Sequence, residues 1–352
     1  MALVKSNNKT YVIAEIGQNH NGDINIAKKL IDQLDRYTYD EHTGDRYNKC
    51  NGVKLTKRDL DEELSNDGML RPYTGVNSFG PTYGEHREFL ELSYEDHVEL
   101  GNYIKSKGFE FVQTLCSVKT LKLLDMVEVD QIKVASRDLT NIPLIEALAK
   151  RPEPIILSTG MADENDLLTV IDIFDNNNKL NVSILHCISQ YPAEYRNLNL
   201  NSIHWLKGKY ENAIGYSDHS LGTHIPVAAV AMGADIIEKH VTLDTSMKGT
   251  DHKGSADMNT FHQMMHDIRS LEFSMGRWSF FRDDSVSAAK QKLERSLAIK
   301  NQLKVGDSLS EEDLCMISPG DGYKWNDRDK FINKMVNRPV KPNTLVKDGL
   351  FY

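Results

Sequence analysis

A short β-branched or apolar run followed by a stretch of helical periodicity recurs eight times along this chain, and that alternation points to a parallel sheet covered by helices. The runs that read as strands are residues 11–16, 52–55, 110–114, 131–135, 154–158, 182–187, 213–217 and 236–240. Helical spacing of apolar residues follows at 24–34, 94–107, 118–126, 142–149, 164–174, 200–209, 223–232 and 258–273. Ser117 and Asp163 stand where N-caps are needed, and Ser93 with Asp96 three residues later has the form of a capping box. Eight strand-helix repeats in about 275 residues is the size of a closed (β/α)8 barrel. An open doubly wound sheet is the competing arrangement, but no G-x-G-x-x-G follows the first strand, so the barrel is the expected fold.

Two segments fall outside the repeat. Residues 57–91 are long, polar and rich in Gly, Pro and Tyr, which reads as a loop inserted at the active-site end of the barrel. From about Arg295 the chain changes character: 296–299 and 339–342 read as short strands separated by turns, behind a charged helical run at 288–295. The expected organisation is a barrel over 1–283, a linker over 284–294 and a small, mostly β domain over 295–352.

A formal charge of −9 argues against a nucleic-acid or anionic-membrane partner, since both demand a clustered basic surface. Residues 1–7 lack the apolar run of a signal peptide, and no later stretch approaches the length of a membrane span, so a cytoplasmic protein is expected. Four cysteines without a C-x-x-C pair suit a reducing compartment. Cys116 and Cys187, in or beside strands, read as packing residues rather than ligands.

In a barrel of this type the catalytic side chains come from the C-terminal ends of the strands, which converge on one mouth. Every strand here ends on polar residues: Glu15, Lys54, Thr114, Lys133 with Ser136, Ser158, Ser189, Ser217 with His219, and Glu238 with His240. Residues two apart share a face, so Glu238 and His240 point together. His219 and His240, on neighbouring strands, can share one metal ion, and two imidazoles suit Mn2+, Co2+, Zn2+ or Fe2+ better than Ca2+ or Mg2+. Lys54 and Lys133 would be costly to bury without anionic partners. Either an anionic ligand or a neighbouring carboxylate such as Asp138 or Glu238 resolves that cost. Glu15 is placed to act as a general base or to orient a water, while His20 can be a simple turn residue.

The runs Ala14-Glu15-Ile16-Gly17-Gln18-Asn19-His20-Asn21-Gly22, Ile132-Lys133-Val134-Ala135-Ser136, Ile156-Leu157-Ser158-Thr159-Gly160-Met161, Gly215-Tyr216-Ser217-Asp218-His219-Ser220 and Glu238-Lys239-His240 resemble the sialic acid synthase (N-acetylneuraminate synthase) family over nearly the whole chain. Leu185-His186-Cys187 with Gln190-Tyr191-Pro192, and Gly249-Thr250-Asp251-His252, add to the likeness. The tail, with Ser318-Pro319-Gly320-Asp321-Gly322, resembles that family's antifreeze-like (SAF) domain.

The resemblance implies condensation of phosphoenolpyruvate with an N-acyl-mannosamine-type aldehyde to a nonulosonic acid and inorganic phosphate. It implies metal ligands at His219 and His240, with Mn2+ foremost and Co2+ or Mg2+ as alternatives. Phosphoenolpyruvate contacts fall on Lys54, Thr114, Lys133, Ser136, Ser158, Ser189 and Ser217, with Glu15 as the catalytic glutamate. Sugar contacts fall on Thr56, Asp138, Tyr191 and Asp251, and the assembly implied is a homodimer whose tail domains cover each other's barrel mouths. Thr56 replaces a sugar-contacting glutamine and Ser318 an arginine, while Lys57-Arg58 and the segment behind them are placed to rebuild that side of the pocket. The competing readings are a metal-dependent sugar-phosphate aldolase or isomerase on the same scaffold, and a binding protein with an inert barrel.

Overall fold

The computed structural model describes residues 9–36, 49–277 and 279–352; residues 1–7, on which the leader reading rests, lie outside them. The chain divides into two compact units, residues 1–276 and 277–352. The division falls at Gly276 rather than near Asp284, because the helix Ser287–Leu293 belongs with the tail. The amide of Gly320 donates to Gln291 O at 2.7 Å, and Lys324 Nζ reaches Glu294 Oε2 at 2.9 Å. The segment expected as a linker is therefore part of the second unit.

In the first unit, strands β1 (Tyr11–Gly17), β2 (Gly52–Lys57), β3 (Glu110–Leu115), β4 (Gln131–Val134), β5 (Ile155–Ser158), β6 (Val182–Cys187), β7 (Ala213–Asp218) and β8 (Ile236–Thr242) pair in order, all parallel. β1 also pairs with β8, which closes the ring into an eight-stranded barrel. Alternation along each strand separates two cores. Outward-facing residues such as Val12, Ala14, Val53, Phe111, Ile132 and Ile184 pack under the helices. Inward-facing Tyr11, Ile13, Val112, Ile156, Leu185 and Ile236 form a separate apolar plug inside the ring. Two residues further along the same faces stand Glu15, Thr114, Ser158, Cys187 and Glu238, so the plug becomes the floor beneath a polar layer.

The expected caps hold at Asp163 and at Ser93 with Asp96, both full capping boxes. Ser117 does not cap. Its amide and carbonyl are both taken by Thr120 Oγ1, and the run expected as a helix at 118–126 is a 3-10 turn, Lys119–Asp125. The stretch expected as an inserted loop is also more ordered than a loop. It carries the helices Leu60–Glu63, Asn66–Leu70 and Tyr83–Leu90, the last opened by a capping box of Thr82 and Glu85. These helices are short, and only the last buries any residue, Gly84, His86 and Leu90, so they leave little apolar periodicity in the sequence.

The second unit has its own apolar core, including Leu297, Ile299, Leu314, Phe331, Val336 and Val346. Its antiparallel sheet joins Ser296–Ile299 to Leu314–Ile317 on one side and to Thr344–Leu345 on the other. The run expected as a strand at 339–342 makes only an isolated bridge, Val340 with Leu303. Among the described residues no helix is long and apolar enough to cross a membrane.

Candidate active site

The C-terminal rim of the barrel encloses a cavity of about 340 Å³. Its wall includes Glu15, Lys54, Thr56, Thr114, Lys133, Ser136, Ser158, Ser189, Tyr191, Ser217, His219, Glu238, His240 and Asp251. Asp138 is the one expected site residue that the wall lacks: its carboxylate turns to Arg137 Nε at 3.2 Å. Lys57 also turns away, toward Glu91 and the carbonyl of Leu92, whereas its neighbour Arg58 lines the cavity.

The two lysines expected to act alike do not. Lys54 sits between two carboxylates, 3.0 Å from Glu15 Oε2 and 3.1 Å from Glu238 Oε2. Burial opposes its charge, but Glu15 and Glu238 outweigh it and push Lys54 up to about 12. Lys133, 2% exposed, bonds to Ser158 Oγ and to Val134 O at 3.0 Å, and has no carboxylate at ion-pair distance among the described residues. Burial brings it down to about 8; Glu238 resists that fall and Lys54 adds to it.

The two carboxylates diverge for the same reasons. Burial pushes Glu15 up to about 7, against Lys54 and with help from the neighbouring Glu238. Burial would raise Glu238 as well, but Lys133 and Lys54 prevail and hold it down to about 2, while Ser217 Oγ donates to its Oε1 at 2.9 Å.

A bulge aims Glu15 into this cluster, for the β1–β2 register shifts between Glu15 and Gly17. Gly17 has φ +53°, and a Cβ there would meet Glu15 Oε1 at 2.8 Å and His240 Cε1 at 3.3 Å. Only glycine lets the bulge and the two side chains coexist.

His219 and His240 lie with ring centroids 5.5 Å apart, and the Tyr191 ring is 4.0 Å from His219 and 5.6 Å from His240. The carbonyl of Ile188 lies 2.8 Å from His219 Nδ1, which leaves Nε2 for another partner. Nδ1 of His240 is buried without a hydrogen-bond partner among the described residues, and burial lowers this imidazole to about 3, so it is neutral. Two neutral-capable imidazoles at this spacing fit one divalent cation, with the remaining positions open to water or substrate. No third His, Cys, Asp or Glu completes a cluster among the described residues. Behind the rim, Lys239 and Asp218 form a buried ion pair; Lys239 also bonds to Ser220 O at 2.6 Å, which holds the turn that carries His219.

Several wall residues were not expected from sequence. Gln18, Tyr83, Arg87, Arg137 and Thr250 all line the cavity. Cys187, expected to be a packing residue, presents its thiol there, 3.8 Å from His219 Nδ1. Cys116 accepts from Arg137 at 2.9 Å. His20 is a turn brace, accepting from the amide of Gly22 at 3.0 Å.

A closed parallel ring whose rim gathers lysines, carboxylates, hydroxyls and paired imidazoles around one cavity defines a (β/α)8 enzyme for small anionic substrates. The chain belongs to the NeuB family, whose model matches residues 46–279. It is 33% identical to the N,N'-diacetyllegionaminic acid synthase of Legionella pneumophila, over 95% of this chain and 92% of that one. It is 31% identical to the human N-acetylneuraminate-9-phosphate synthase, over 97% and 92%. Among solved structures, the N-acetylneuraminic acid (sialic acid) synthetase of Leptospira borgpetersenii, crystallised with citrate, superposes with a TM-score of 0.68 at 31% identity, covering 81% of this chain and 91% of that one.

Proposed function

We propose that the protein condenses phosphoenolpyruvate with an N-acyl-mannosamine-type amino-sugar aldehyde, giving a nonulosonic (sialic-acid-like) acid and inorganic phosphate. Lys133 carries the reading. It is a buried ammonium without an acid partner among the described residues, bonded to Ser158, in the same cavity as the paired imidazoles and the hydroxyls of Thr114, Ser136 and Ser217. A small dianion supplies the charge that this position lacks.

C3 of phosphoenolpyruvate attacks the aldehyde carbon, water adds at C2, and phosphate leaves with C–O cleavage. Lys133, with Thr114, Ser136, Ser158, Ser189 and Ser217, holds the phosphate and carboxylate. Lys54 braces Glu15 and Glu238 at 3.0 and 3.1 Å, which fixes Glu15 to orient the water or hold its proton. A divalent cation held by His219 and His240, Mn2+ foremost with Co2+ or Mg2+ as alternatives, would polarise the aldehyde oxygen as a Lewis acid. Thr56, Tyr191 and Asp251 line the wall available to the sugar. The second unit is read as an antifreeze-like (SAF) domain, in a cytoplasmic homodimer whose tails cover the partner's barrel mouth.

Supplying phosphoenolpyruvate, Mn2+ and candidate amino sugars, and detecting the nine-carbon acid by mass, tests the proposal. Phosphate release that needs both substrates supports it, whereas cleavage of a sugar phosphate without phosphoenolpyruvate overturns it. Glu15→Gln keeps the shape and removes the charge; kcat is expected to fall by about 100-fold or more with little change in KM for phosphoenolpyruvate. An unchanged kcat would remove Glu15 from the chemistry.

The affinity for phosphoenolpyruvate is also expected to depend on pH. Lys133 faces Glu15 from β1, Lys54 from β2, Cys187 from β6 and Glu238 from β8, and its depressed pKa of about 8 means the cation is present below that value and lost above it. KM for phosphoenolpyruvate therefore rises as pH climbs through about 8. A flat KM across that range would contradict the assignment.

A further inference from the structure

Three guanidiniums reach the cavity wall: Arg58, Arg87 and Arg137. Two of them are matched by acids. Arg58 lies 3.2 Å from Glu63 and 3.6 Å from Glu91, and Arg137 lies 3.1 Å from Glu63 and 3.2 Å from Asp138. Arg87 has no carboxylate at ion-pair distance among the described residues. It donates to neutral oxygens alone: the Tyr83 hydroxyl at 2.8 and 2.6 Å, and Gln18 Oε1 at 2.5 Å.

The position is built rather than casual. The Tyr83 ring lies 4.8 Å from Arg87 Cζ, and Tyr83 stands in an aromatic group with Tyr73 and His86. Phe79 stacks on Phe89 at 4.5 Å, and Lys248, from the segment after β8, sits 4.7 Å over the Phe79 ring. Arg87 is thus held by Tyr83 of its own helix and by Gln18 in the turn after β1. Burial first, and then Arg58, lower its pKa; the site disfavours a cation until an anion joins it.

Lys133 and Ser158 belong to β4 and β5, and in a closed ring of eight, β5 faces β1 across the barrel. Arg87, tied to Gln18 just beyond β1, therefore stands apart from the anion position assigned to phosphoenolpyruvate. The imidazole pair on the β7–β8 rim is where the aldehyde end of the acceptor belongs, which leaves the other end of that sugar free to reach the insertion. A sugar hydroxyl there would leave the guanidinium's charge unmatched. A phosphate monoester matches both its charge and the fork of its N–H donors.

Resting on the synthase reading above, we infer that the acceptor is an N-acyl hexosamine carrying a phosphate monoester at the end remote from its aldehyde, and that Arg87 is the residue that receives it. The test compares N-acetylmannosamine with its 6-phosphate as acceptors for the full-length chain, with phosphoenolpyruvate and Mn2+, in wild type, Arg87→Met and Arg87→Lys. Wild type is expected to favour the phosphorylated sugar in kcat/KM by about 100-fold. Arg87→Met is expected to lose about 100-fold on that sugar, mainly through KM, and far less on the unphosphorylated one; Arg87→Lys falls between.

Equal or better use of the unphosphorylated sugar by wild type overturns the inference. So does a loss in Arg87→Met that is the same for both sugars, which is the mark of a structural role. If neither sugar is consumed, calorimetric titration of each sugar into wild type and Arg87→Met separates the two proposals. Tighter binding of the 6-phosphate that vanishes in Arg87→Met upholds the anion site and sinks the synthase reading, whereas equal binding of both sugars sinks the anion site.

Discussion

Lys133→Ala is expected to weaken phosphoenolpyruvate binding by roughly 100-fold or more, about 3 kcal/mol, while KM for the sugar changes only a few-fold. The asymmetry follows from what Lys133 touches. Its ammonium bonds to Ser158 and a backbone carbonyl, with no acid partner among the described residues, so its charge is left to an anion from outside. Removing it leaves Lys54 still bound to both Glu15 and Glu238, so neither carboxylate is orphaned and the melting temperature should shift little. Isothermal titration with phosphoenolpyruvate, beside steady-state KM values for both substrates, reads the split. Equal losses for both substrates would show that Lys133 shapes the cavity as a whole.

His219→Ala and His240→Ala are each expected to abolish metal retention and to cut turnover by about 1000-fold or more. Each ring offers a nitrogen without a hydrogen-bond partner among the described residues: Nε2 of His219, whose Nδ1 faces Ile188 O at 2.8 Å, and the buried Nδ1 of His240. Metal content after dialysis, measured by mass spectrometry, is independent of activity and separates ligand loss from misfolding. Full activity of either variant in the presence of a chelator would refute the pair as ligands. The Tyr191 ring, packed against both imidazoles, should hold the remaining histidine in place in each single variant.

Much of the fold was legible because its signals are local. Each barrel strand lies within two residues of the run read from sequence, since an apolar run bounded by turn residues marks a buried parallel strand wherever its partners stand. The rim was legible for the same reason: strand ends converge, so a polar residue at each end is a statement about the mouth. The helices in 57–91 were not legible, because they are held by the barrel rim and by aromatic stacking rather than by an apolar face of their own.

Chemistry-bearing residue types at strand ends, and hence a polar cavity above an apolar plug, are determined by the sequence alone, through the two-residue alternation of each strand. Tertiary structure decided how charges divide among them. Lys54 falls between Glu15 and Glu238 while Lys133 has no acid at ion-pair distance among the described residues, Asp138 turns to Arg137 and leaves the wall, and Arg87 arrives from the insertion after β2. Pairing of charges depends on distances of a few ångströms between strands and loops remote in sequence, and in a buried site those distances decide whether neighbouring charges outweigh burial, as for Lys54 and Glu238, or yield to it, as for Glu15 and Lys133.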